Sequence, residues 1–133
     1  MNVLPSASVL VRTWFGDDAA WESLTRKVEI PSAEGFLASI TLVNDPIFEA
    51  LSTDALIAQQ SGGSIVSFLA DEITLTHAEH PIVAVRMLPR PDSEPFRVVP
   101  AALWSVENNI NLANMDWTDF TTSLDADGVF RGF

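Results

Sequence analysis

At 133 residues, 47% of them apolar, the chain is long enough to bury one core without staples, and the absence of cysteine excludes disulfides, thiol catalysis and cysteine-ligated zinc. Eighteen acids against seven bases give a net charge of −11, which repels nucleic acid and anionic membranes. No basic leader with a long apolar run opens the sequence, and no apolar stretch approaches the roughly 18 residues that span a bilayer, so the expectation is one cytoplasmic domain over residues 1–133.

SVLVRT, residues 8–13, is compact and β-branched and reads as a strand. Asp17 or Asp18 then caps a helix whose apolar face is Trp21, Leu24 and Val28, three and four apart. FLASITLV, residues 36–43, reads as a second strand. Asn44-Asp45-Pro46 ends it and starts a helix, with Asp45 as cap and Pro46 in the first turn, and Ser52-Thr53-Asp54 restarts that helix toward Gln60. Past the short connection SGGS, residues 61–64, comes a third strand, SIVSFLA, residues 64–70. Residues 71–80 read either as an extension of that strand or as a turn.

PIVAVRML, residues 81–88, and FRVVP, residues 96–100, are the fourth and fifth strands, joined across the proline-rich PRPDSEP. Pro100 suits the first turn of a helix over 101–110, with Leu103, Val106 and Ile110 on one face. Asn108, Asn109 and Asn111 fall at its end, where asparagine tolerates left-handed backbone angles. Asp116, with Asp119 three residues on, caps a last helix bearing the stripe Trp117, Phe120 and Leu124. Strand and helix alternate through the first half. The predicted fold is therefore α/β: an open, mostly parallel sheet of about five strands, with an antiparallel edge hairpin from the fourth and fifth, flanked by about four helices.

FRVVPAALWSVENNINLANMDWTDF followed by DADGVFRGF resembles the C-terminal signature of a family of small bacterial proteins of unknown function, found mostly in high-GC Gram-positive bacteria. VLVRTWFGDDAAW is similar to that family's opening, and FLAD followed by HPIVAV to its middle. The resemblance implies a single-domain bacterial protein and brings no activity, ligand or catalytic residue with it.

The residues themselves contain no GxSxG, no P-loop and no GxGxxG, and no serine has a histidine neighbour in triad order, so no catalytic residue is assigned. HAEH, residues 77–80, lacks HExxH spacing, and DADG, residues 125–128, lacks the closing glutamate of a calcium loop; no metal and no cofactor is assigned. Asp71 closes an apolar strand and needs a partner, for which Arg12, Arg86 and Arg97 are the candidates. The tail carries Phe130 and Phe133, costly to leave in water, so it is expected to dock, with Arg131 paired to an acid.

Three functions follow as expectations. The first is a non-catalytic acidic interaction module, in its sharp form an immunity- or antitoxin-like inhibitor of a basic protein. The second is a small-molecule-binding protein or enzyme whose site at one end of the sheet uses Arg12, Asp71 and the 108–116 loop, with Asn108, Asn114 and Asp116 presenting polar groups; Arg131 of the tail is a further binding candidate. The third is a homo-oligomer anchored by the aromatic C-terminus through Trp104, Trp117 and Phe133.

Overall fold

The computed structural model describes residues 4–60, 64–88 and 90–133; most of the SGGS connection and Pro89 of the proline-rich link lie outside them. In chain order the elements are β1 (Val9–Arg12), α1 (Asp18–Val28), β2 (Thr41–Val43), α2 (Thr53–Gln59), β3 (Val66–Ala70), α3 (Glu72–Thr76), β4 (Ile82–Arg86), β5 (Phe96–Val98), α4 (Leu103–Asn111), α5 (Trp117–Thr121) and β6 (Val129–Phe130). Short 3₁₀ turns at Pro46–Phe48 and Pro100–Ala102 lead out of β2 and β5. Both place proline at the first helical position, where its missing N–H costs nothing.

The six strands form one sheet in the order β2-β1-β3-β4-β5-β6. β1 runs parallel to β2 and β3, β4 is antiparallel to β3 and β5, and β6 is parallel to β5. Five strands therefore end at the same edge and β4 alone runs back. The chain leaves β1 for β2 on one side and returns to β3 on the other, so the strand order reverses at β1.

Residues alternate between the two faces with the two-residue period of a strand. Leu10, Phe68, Ala84, Val98 and Phe130 face a core built with α1, α4 and α5. Val9, Val11, Leu69, Val83 and Val85 face a smaller one, closed by Phe48 and Leu56. In the larger core, Phe96 meets Trp117 at 4.9 Å and Phe120 meets Phe130 edge-on at 5.1 Å between centroids. Such pairs contribute about 0.5–1.5 kcal/mol each beyond their burial. Among the described residues, no helix is long and apolar enough to cross a membrane.

Four local expectations change. The run FLASITLV pairs only over its last three residues. Phe36 instead stacks on Trp104 of α4 at 4.8 Å, and the Ser39 N–H bonds the Glu107 carboxylate, so its first half is spent on packing rather than on a ladder. Residues 71–80 are neither strand nor plain turn: Asp71 caps the short helix α3 in a reciprocal box with Thr74. The hairpin of β4 and β5 lies inside the sheet, because the tail adds β6 beyond it and brings the strands among the described residues to six. At the end of α4 the left-handed residue is Ala113, with φ +56°, and not one of the asparagines.

Candidate functional site

β1 ends in Arg12, which shares its face with Leu10 and so turns in beneath α1. The side chain is only 2% exposed, although its main partner, Asp18, is 86% exposed. Three hydrogen bonds hold the guanidinium: Nε donates to the Trp14 carbonyl at 2.9 Å, Nη2 to Asp18 Oδ1 at 2.8 Å and Nη1 to Asn44 Oδ1 at 3.4 Å. Its carbon lies 4.5 Å from the Phe15 ring centroid and 5.9 Å from that of Trp21. Those ring faces offset part of the cost of burying the charge.

Local chain geometry builds this arrangement. Asp17 caps α1 by accepting the Ala20 N–H at 3.1 Å, which puts Asp18 in the first turn and Trp21 and Glu22 next along the helix. Gly16 is needed for close approach, since a Cβ there would run into the Trp14 ring. Asn44 arrives from the end of β2. Together Arg12, Phe15, Asp18, Trp21, Glu22 and Asn44 line most of an open cleft of about 510 Å³.

Asp71 ends β3 at the same edge of the sheet. Of the three arginine candidates it takes Arg97, from β5. Nη1 donates to Oδ1 at 3.0 Å and Nη2 to Oδ2 at 2.7 Å, a two-pronged fork. Asp71 Oδ1 also accepts the Thr74 N–H at 3.0 Å and the Thr74 hydroxyl at 2.9 Å. Burial pushes the carboxyl up, but the Arg97 bonds and charge and the Thr74 donors outweigh it, and Asp71 sits below its ordinary value. Nearby, the His80 Nδ1 lies 2.8 Å from the Thr74 carbonyl, and the His77 Nδ1 accepts the Glu79 N–H at 3.1 Å, so both HAEH imidazoles are engaged with backbone.

Arg131 follows β6 and gathers Glu79, Asp125 and Asp127 at 2.9, 2.6 and 2.7 Å. Its hydrogen bonds hold Glu79 and Asp127 below their ordinary values, and these acids in turn hold the guanidinium above its own. The tail thus docks on its own chain, while Phe133 stays 72% exposed.

The remaining candidates lie at the opposite end of the sheet. α4 has nine residues, about 13 Å of helix, and carries the chain across the face from the end of β5 to the start of β1 and β3. There Asn111 accepts the Ile65 N–H at 3.0 Å and donates to the Ser8 hydroxyl at 2.9 Å and to Glu107 at 2.8 Å. Asn108 donates to Glu107 at 3.1 Å and to the Leu37 carbonyl at 3.3 Å. Buried Glu107 explains much of the asparagine crowding: its carboxylate is held by amides. The Asn114 N–H bonds the Asn109 carbonyl at 2.9 Å, and Asp116 lines a separate cleft of about 350 Å³ with Arg86 and Arg90. Arg12 and Asp71 therefore share one end, Asn108, Asn114 and Asp116 the other, and the single site expected from all of them does not form.

Of the aromatic anchors, Trp117 is buried, its indole N–H donating to the Glu94 carbonyl at 2.8 Å, and Trp104 is stacked on Phe36. Sequence reasoning did not single out Phe15, Asp18, Glu22 or Asn44 as surroundings of Arg12. The signal was available in the strand-end rule, which draws residues just after β1 and β2 to one edge.

No curated protein matches the chain. One family model does, from just before β1 through the docked tail. The chain belongs to the family described as Domain of unknown function (DUF6924), matched over residues 7–133.

Proposed function

We propose that the chain is a non-catalytic acidic binding module whose partner is a basic protein, of the kind an immunity or antitoxin-like inhibitor neutralises. The observation that carries this reading is how the charge is spent. Three of the seven bases, Arg12, Arg97 and Arg131, are tied to acids within the fold. Most of the negative surplus is left on the surface, and Asp17 and Glu22 stand exposed at the N-terminal end of α1, on either side of the Asp18 that Arg12 holds. A field of one sign raises the encounter rate with a basic surface and suppresses wrong partners, and it weakens as salt screens it.

The test is capture of partners on the tagged chain at about 50 mM and about 500 mM salt, followed by calorimetry of the purified partner across that range. The expected result is a basic protein whose affinity falls with salt and falls again with Asp17→Lys and Glu22→Lys together. Salt-independent binding, or no basic partner, would overturn the reading. A small-molecule-binding role is the second reading. One observation favours it: the cleft over Arg12 lies at the carboxyl end of β1, where open α/β sheets bind ligands.

A further inference from the structure

We propose that the cleft over Arg12 binds a small zwitterion of the amino-acid class, its carboxylate on Arg12 and its ammonium on Asp18 and Glu22. This site does not depend on the basic-partner reading, and its test leaves that reading untouched.

Burying a guanidinium is costly unless its charge and donors are met. A carboxylate meets such a charge best with both oxygens, in a fork that matches its planar donors. Arg97 is met that way by Asp71, yet Arg12 is the more deeply buried of the two. Arg12 receives a single oxygen from Asp18 and a long bond from Asn44. Each nitrogen makes one bond, so the Nη1 and Nη2 edge is not closed by a two-oxygen acceptor. Phe15 and the Trp14 carbonyl fix the plane of the guanidinium in advance, which lowers the ordering cost of binding.

Asp18 is largely in water, so it leaves Arg12 at little cost when a better acceptor arrives. A ligand carboxylate supplies two oxygens in its place. Glu22 stands one helical turn beyond Asp18 and lines the same cleft. With Asp18 displaced but still tethered, two carboxylates look onto the ligand. A bare anion such as phosphate meets their repulsion, and a bare amine leaves the Arg12 edge unmet. A molecule bearing both charges satisfies both walls. A cleft of about 510 Å³ has the size of a small-ligand site.

The experiment titrates the full ¹⁵N-labelled chain with each of the standard free amino acids to about 10 mM, watching the Trp21 indole and the backbone N–H signals of residues 15–22. The best binder is then compared with its decarboxylated amine and its deaminated acid. The expected result is that at least one amino acid shifts those signals and that each one-charge analogue binds about tenfold or more weakly. Arg12→Gln risks the fold, so the decisive variant is Asp18→Asn with Glu22→Gln, both at exposed positions. It should bind the deaminated acid as tightly as the amino acid. No shift from any amino acid, or equal binding of acid and amino acid by the unmutated chain, would overturn the proposal.

Discussion

Two arginine–aspartate pairs stand at the same end of the sheet and are built in opposite ways. Arg97 and Asp71 are closed: two parallel hydrogen bonds join them, and the carboxylate also caps α3. Arg12 and Asp18 are open: one hydrogen bond joins a buried base to an acid standing in water. Burial alone does not separate a structural ion pair from an available one. The number of acceptor oxygens in place and the freedom of the acid do. In a closed pair each charge is met by the other along a whole edge, and removing one member strands the other. An open pair keeps donor capacity.

The largest effect expected from this contrast is at Asp71. Asp71→Ala removes the cap of α3 and both bonds to Arg97 together. Discounted for the partial exposure of the pair, the loss should be about 2–3 kcal/mol, read as a lower urea midpoint by tryptophan fluorescence. Asp18→Ala should cost less, about 1 kcal/mol, because Arg12 keeps the Trp14 carbonyl, Asn44 and the Phe15 face. That is still above the few tenths usual for so exposed a side chain, since the base left behind is buried. Equal losses at the two positions would erase the distinction between closed and open.

What the sequence disclosed follows the range of the forces involved. Helix starts are local, and Asp17, Asp45 and Ser52 each accept a hydrogen bond from an N–H two or three residues on, as their spacing implied. The start of α3 was equally local, written in Asp71 and Thr74, but DEITL, directly after an apolar strand, read as an extension of that strand or a turn. β6 was not legible, because two residues make a strand only if β5 offers an open edge, and that depends on the register of the whole sheet. The partner of Asp71 was undecided for the same reason: Arg12, Arg86 and Arg97 are equivalent until strand order sets them apart. The asparagines were read partly as groups for a ligand, whereas Asn108 and Asn111 serve Glu107, a carboxylate buried by the crossing of α4 and hidden from any local pattern.

The smallest expected effect is in acid, and it isolates the closed pair. Burial raises the Asp71 carboxyl, the bonds to Arg97 and Thr74 lower it further, and the net position is below the ordinary value. The unfolded chain therefore binds this proton first as pH falls. The contribution of the pair is complete above the unfolded value, about 4, and is lost as pH falls through the lower folded value. Glu79 and Asp127 are also held low, by Arg131, so the unmutated chain loses stability in acid from more than one source. Comparison with Asp71→Asn cancels those shared contributions. Urea midpoints of the two chains should run parallel from about pH 7 to about pH 5 and converge below about pH 4, the unmutated chain falling more steeply. Parallel curves through the whole acid range would mean that Asp71 takes up its proton alike folded and unfolded, and the fork to Arg97 would then not be holding its charge.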